Sequence, residues 1–460
     1  MLTQSESVSK VEFFVILSYV LLVTFLSVMR QSIFIYLEAL FVLIAVLVTV
    51  LSPRKYGFVC LCIISVTIFG NFVAPMDNEL RFESNYPSLH TLSIFGGLKV
   101  IDLALFILSF SFIIKFILGN LAVGINKYFI SLIFLVVFSS VVVFFKQNEY
   151  VFDFGFMLFI IRGLLLFFVF YIIASDLKKF QIIFLLKTAI STCICLMIFA
   201  HLFHAENPMV RTLLGFNVTV AFAGDEYGSI GILIAAILVL DKNQRRYCFY
   251  IALICFLLAI FAGRKSAIPY FFFVGLMIFF NSENNIGKLK KSLILSEHIY
   301  ITIALLCIKA LDFLPLNLAF HESLGILNPT IDSLNRMFRD DFLTFIIGIG
   351  PFFKYPLYGL DIVFDHPFAF GGDAGELYKI KLWFFPFDRA ILNFGFIIPV
   401  LFTIKMIFFS KNTSSVFYII LYSTYLLFFN AVSIIMCVSL AFAHAAIKIK
   451  KQKDSDFNTY

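Results

Sequence analysis

The feature that most constrains this 460-residue chain is a succession of apolar runs, each close to twenty residues, separated by short segments that carry the charge. The hydrocarbon core of a bilayer is about 30 Å thick, and about twenty residues of α-helix cross it at roughly 1.5 Å per residue. Runs of that kind occupy 11–29, 32–52, 57–75, 98–117, 128–145, 154–174, 182–203, 222–240, 246–263, 266–281, 292–311, 390–409, 414–430 and 431–447, the last two being separated at Asn430. Charged residues make up 14% of the chain, against roughly 25% for an ordinary domain. That is too few to face water over a molecule of this size, so a soluble enzyme, a nucleic-acid-binding protein and a disordered scaffold are all excluded. The reading is an all-α polytopic integral membrane protein with about fourteen transmembrane helices (12–14) and one long external loop.

The charge pattern orients the spans, because cytoplasmic connections hold an excess of Lys and Arg. Lys10, Arg54, Lys55, Lys115, Lys127, Lys178, Lys179, Lys242, Arg245, Arg246, Lys288, Lys290, Lys291, Lys405, Lys411 and Lys448 to Lys453 fall in one alternating set. The other set is acidic or mixed, as in Asp77, Glu79, Arg81 and Glu83. Both termini are thereby expected in the cytoplasm. The first run lacks a small-residue cleavage pattern and reads as an anchor rather than a removable signal peptide. The organisation is an N-terminal bundle of about eleven helices over 1–311, a long external loop over 312–389, C-terminal helices over 390–447 and a cytoplasmic tail over 448–460. Within the loop, FLTFIIGIGPFFKYPLYGL is apolar but broken by Gly and Pro, which fits re-entrant or interfacial helices. The eight cysteines lie inside or at the edges of apolar runs and read as buried packing.

Charges inside spans are costly, about 2.5–3.5 kcal/mol each at a helix centre on insertion scales, so their positions carry information. Glu38, Asp102, Arg162, Glu226 and Lys309 fall towards the outer ends of their helices, whereas Lys115, Lys187 and Lys405 can snorkel to the cytoplasmic interface. Arg162 lies deepest, and two readings stand for it. It is a structural partner of Glu38 or Asp102, or it lines a polar cavity open to the outer leaflet. Arg264 and Lys265, in FAGRKSA, interrupt two apolar runs at the outer face and form a candidate anion site, with capping of a helix C-terminus as the alternative. The connection between spans seven and eight supplies His201, His204, Glu206, Arg211, Asp225 and Glu226. Its two histidines lack a third ligand at diagnostic spacing, and no metal site is assigned. The long loop adds Arg336 and Arg339, then His366, Asp373, Glu376 and Asp388.

Three stretches resemble the superfamily of O-antigen polymerases and O-antigen ligases, polytopic bacterial envelope proteins with one long external loop in their C-terminal part. FAGRKSAI resembles the family's small-residue-plus-arginine motif. LNRMFRDDFLTFIIGIGP resembles its arginine stretch leading into a G-x-G turn, and DRAILNFGFIIPVLF its helix start with a midway Gly. The segment WFFPFD lacks the His-Asn pair of the ligase branch, so the polymerase branch is the closer likeness. The resemblance implies the bacterial inner membrane, with the 312–389 loop in the periplasm, a donor glycan on undecaprenyl pyrophosphate, presented at the outer leaflet among membrane lipids, and an acceptor hydroxyl on another lipid-linked repeat unit. A chain-length regulator is a further partner to expect.

Because the donor is already activated, no cofactor and no metal are expected. Guanidinium groups would stabilise the departing pyrophosphate. Arg162, Arg264 and Arg339 are the first candidates, with Arg211, Lys265 and Arg336 behind them. The general base is sought among Glu226, His366, Asp373 and Asp388. An O-antigen ligase and a polysaccharide flippase or transporter are the competing readings. A transporter commonly shows repeated halves and midplane binding residues, and neither pattern is evident here.

Overall fold

The computed structural model describes residues 9–29, 32–51, 57–70, 93–95, 98–117, 141, 151–152, 154–202, 209–213, 216–220, 224–261, 271–272, 274–275, 278, 338–339, 342–348, 353–354, 396 and 434–457. Among these the chain is overwhelmingly helical: α1 Lys10–Met29, α2 Ser32–Leu51, α3 Gly57–Gly70, α4 Val100–Ile117, α5 Phe154–Ser175, α6 Lys179–Leu202, α7 Gly224–Leu240, α8 Arg245–Phe261, the short α9 Phe342–Ile347, and α10 Ile434–Phe457. Strands occur only as short antiparallel pairs among the described residues: β1 Ser93–Phe95 with β2 Leu98–Lys99, β3 Val151–Phe152 with β6 Phe353–Lys354, and β4 Met209–Leu213 with β5 Phe216–Val220. The expected spans 128–145, 292–311, 390–409 and 414–430 fall almost wholly outside the described residues.

Three of the described stretches, Lys10–Ser27, Lys179–Phe199 and Lys242–Phe261, are long and apolar enough to cross a membrane. Shorter apolar helices cover Tyr36–Leu51, Gly57–Gly70, Val100–Ser111, Leu165–Ser175 and Tyr227–Leu240. The outward faces match an apolar solvent. Val11, Phe14, Leu21 and Leu22 of α1 are exposed, as are Tyr36, Leu40, Phe41, Ile44 and Leu47 of α2. Contiguous apolar faces of this extent mark contact with lipid or protein.

Six small hydroxyl side chains follow the same logic, a polar group in such a medium finding its partner inside the protein, whereas the buried hydroxyls of Ser109, Ser175 and Ser229 have none among the described residues. Thr24, Thr49, Ser65, Thr67, Thr192 and Ser439 each donate to the carbonyl four residues back, on Val20, Ala45, Leu61, Ile63, Thr188 and Ile435, at 2.7–3.0 Å. Tyr19 and Thr67 also share a hydrogen bond of 2.8 Å between α1 and α3.

The chain forms two units: one comprises 1–123, 161–280 and 433–460, the other 124–160 and 281–432. In the first, α7 and α10 form the centre. Tyr227, Ile230, Leu233, Ala236 and Ile237 of α7 are buried, as are Ile435, Val438, Leu440, Ala441, Phe442 and Ala445 of α10. A helix apolar all round belongs in the middle of a bundle rather than at its rim. Helix α10 runs on to Phe457, through the basic segment that the sequence reading assigns to a tail. Lys and Gln are good helix formers, and no Gly or Pro intervenes.

Helix directions follow from contacts between aromatic rings. Phe13 and Phe25 of α1 meet Phe184 and Phe199 of α6, at 6.3 and 6.2 Å between ring centroids, so these helices run parallel. Phe58, at the start of α3, also meets Phe184, at 5.9 Å. Helices α5 and α10 run parallel through Phe167–His444 and through Lys448 lying 5.7 Å from the Tyr171 ring centroid. The starts of α1, α3, α6 and α8, the ends of α5 and α7, and Lys448 therefore share one end of this unit. That end gathers Lys10, Lys178, Lys179, Lys242, Arg245, Arg246, Lys448 and Lys450. Residues far apart in sequence thus bring their positive charge to one side, as the alternating charge pattern requires.

Small residues set the helix spacing. A Cβ on Gly70 would lie 2.8 Å from Val23 Cγ1 and 3.1 Å from Thr192 Cγ2, where α1, α3 and α6 meet. Both neighbours are β-branched and stiff at χ1. Gly70→Ala is expected to lower stability by about 1–3 kcal/mol through overpacking. Gly275→Ala, whose Cβ would meet nothing within 4 Å, should leave it unchanged. Thermal unfolding of the two variants in detergent checks the contrast.

Candidate functional site

The site is built up from a helix start. Strands β1 and β2 pair Phe95 with Leu98 and deliver the chain into α4. Lys99 precedes the first turn of α4, and its backbone N–H donates to Asp102 Oδ2 at 3.0 Å. This is half of a capping box, in which the third helical residue reaches back to satisfy an orphan donor. The same carboxylate holds Arg162 of α5. Arg162 Nε donates to Asp102 Oδ1, and Nη2 donates to Oδ2 at 2.8 Å. The pair is bidentate, which matches the planar guanidinium fork to both carboxylate oxygens.

The two side chains keep only 16% and 21% of their accessible surface. Removing two charges from water is costly, and mutual attraction offsets that cost only when the geometry and the remaining hydrogen bonds are good. Asp102 meets the condition with three acceptor contacts. Arg162 keeps donors on Nη1 and one on Nη2 beyond the two bonds it makes to the carboxylate. Of the partners offered by the sequence, Asp102 is the one that Arg162 engages. The ion pair lies eight residues, about 12 Å, into α5, in the half remote from the basic end described above.

The other candidates divide between described and undescribed positions. Arg339 is exposed on a helical turn just before α9. Helix α9 ends at Gly348, whose φ of 87° lies in the left-handed region that favours glycine. Phe345 of α9 stacks on Phe396 at 5.3 Å between ring centroids, and its carbonyl accepts the Phe396 N–H at 2.8 Å. Phe338 adds an edge contact to Phe345 at 5.2 Å. The arginine stretch containing Arg339 is thereby joined to the residue that follows Gly395. Nothing local to either stretch signals this contact, since Phe345 stands three residues before Gly348 whereas Phe396 directly follows Gly395.

Arg211 lies in β4 opposite Val218 of β5, in an antiparallel pair of five-residue strands. The sequence reading took this connection as a cluster of charges and missed the strands, although Phe216-Asn217-Val218-Thr219-Val220 alternates in polarity. Glu226 sits in the first turn of α7, with its side chain outside the described set. Arg264, Lys265, Arg336, His366, Asp373 and Asp388 lie outside the described residues. Lys187, expected to snorkel, donates to Gln244 Oε1 at 2.7 Å and lies 4.6 Å from the Tyr247 ring centroid, at the basic end.

Comparison of the chain with protein-family models, with curated proteins and with solved structures found no match. The functional reading therefore rests on the residues themselves. What this arrangement can do chemically is hold one guanidinium in a fixed orientation inside an apolar bundle. The other unit, taken by itself, presents an exposed guanidinium, that of Arg339, on a segment braced by aromatic stacking.

Proposed function

We propose that the chain is a polymerase of undecaprenyl-pyrophosphate-linked oligosaccharide repeat units, with fourteen spans, both termini in the cytoplasm and the 312–389 loop outside the inner membrane. The observation that carries this reading is the junction of Phe345 with Phe396, which joins two of the three stretches by which the chain resembles polysaccharide polymerases. The fixed guanidinium of Arg162, remote from the basic end, supports it further.

In the reaction, a hydroxyl of the acceptor repeat unit attacks the anomeric carbon of the donor glycan, and the bond to undecaprenyl pyrophosphate breaks with inversion. A base among Glu226, His366, Asp373 and Asp388 takes the hydroxyl proton. Arg162, Arg264 and Arg339 stabilise the charge that builds on the departing pyrophosphate, with Arg211, Lys265 and Arg336 assisting. No step calls for a metal or cofactor.

A deletion strain tests the reading. Loss of a polymerase leaves the acceptor carrying a single repeat unit, whereas loss of a ligase or a flippase removes the surface glycan altogether. In membranes supplied with lipid-linked repeat units, elongation should persist in excess chelator. Abolition by the chelator with recovery on adding a divalent cation would overturn the metal-independent mechanism.

A further inference from the structure

The basic end carries a feature that glycan transfer does not use. Along α8, Arg246, Tyr250, Leu253, Leu257 and Phe261 recur at spacings of four, three, four and four, so they form one stripe. Arg246 is exposed at its head, and the apolar members are 60%, 44%, 46% and 68% exposed in that order. Tyr250 to Phe261 spans about 16 Å, about half of a bilayer's hydrocarbon core. A cation at one end of an apolar track as long as a single leaflet has the shape of a lipid, headgroup first.

The surroundings of Arg246 select for negative charge. The nearest carboxylate along the chain, Asp241, is committed elsewhere. It accepts from Asn243 N–H at 3.2 Å and from Gln244 Nε2 at 3.3 Å, and lies 4.0 Å from Lys179 Nζ. Lys187 adds a charge behind the same turn, held by the neutral groups of Gln244 and Tyr247. Arg245 Nε donates to the Ile278 carbonyl at 2.5 Å, so its guanidinium is already engaged by the neighbouring segment. Arg246 makes no ion pair among the described residues, and Lys242, also exposed, lies one turn before it.

We propose that this face of α8 binds one anionic phospholipid, its headgroup phosphate on Arg246 beside Lys242 and an acyl chain along Tyr250, Leu253, Leu257 and Phe261. The site lies at the end remote from the Arg162–Asp102 pair and is independent of the polymerase reading. Basic residues at the edge of transmembrane helices attract anionic headgroups, and each contributes a discrimination of about fivefold near the surface.

The test uses the full chain reconstituted in vesicles with spin-labelled phosphatidylglycerol or phosphatidylcholine, reading the motionally restricted fraction by electron paramagnetic resonance. Phosphatidylglycerol should be preferred, and Arg246→Gln should lower that preference by about fivefold while Arg246→Lys retains it. Lys450→Gln, at the same end but on α10, should leave it unchanged. Equal association of the two lipids, no effect of Arg246→Gln, or an equal loss in Lys450→Gln would overturn the site. So would loss of the preference in millimolar inorganic phosphate but not in sulfate of equal ionic strength, since that result assigns Arg246 to a free anion.

Discussion

Replacing Arg162 by Ala is expected to lower glycan elongation by about 10²–10³-fold, the usual loss when one preorganised donor to a developing anion is removed. It is also expected to destabilise the bundle by about 3–5 kcal/mol, because Asp102 is left as an uncompensated, largely buried carboxylate. The two effects can be separated. In Arg162→Gln combined with Asp102→Asn, no charge is stranded, and the folded amount in the membrane should return towards wild type. If Arg162 contacts the pyrophosphate, elongation stays lost in this double variant. Wild-type chain lengths in it would sink the catalytic role and leave the pair as a structural one.

Arg339 gives the complementary result. It is exposed and precedes a short helix held by Phe345 and Phe396, so its guanidinium is not part of the packing. Arg339→Ala should lower elongation by about 10²–10³-fold while thermal unfolding in detergent stays within about 0.5 kcal/mol of wild type. Arg339→Lys, which keeps the charge but loses the planar fork, should recover only part of the rate. An Arg339→Ala protein that elongates normally would remove the loop arginine from the mechanism.

The helices were written plainly in the residues, because their signal is the length of each apolar run. Expected spans 32–52, 154–174 and 222–240 correspond to Ser32–Leu51, Phe154–Ser175 and Gly224–Leu240. The charge of Arg162 also announced itself, since a cation so deep in an apolar run needs a partner. Which partner it takes could not be read, because Glu38 and Asp102 are equivalent until helix neighbours are known. The hairpin of β4 and β5 was hidden because five-residue strands between two long helices give only a weak alternation, and the eye is drawn to the neighbouring charges. The meeting of Phe345 with Phe396 depends on chain return over some fifty residues, which no local pattern encodes.

The central position of α10 bears on how the molecule is assembled. The ribosome makes α7 and then residues 281–432, which belong to the other unit, before it reaches the helix that packs against α7. Until then the side of α7 that carries Gly228, destined to lie against Met436, lacks that partner. Synthesis of α7 and closure of the bundle around it are thus separate events in time. A chain interrupted before Ile434 would leave the buried face of α7 without the helix that covers it, a substrate for quality-control proteolysis rather than a smaller stable bundle.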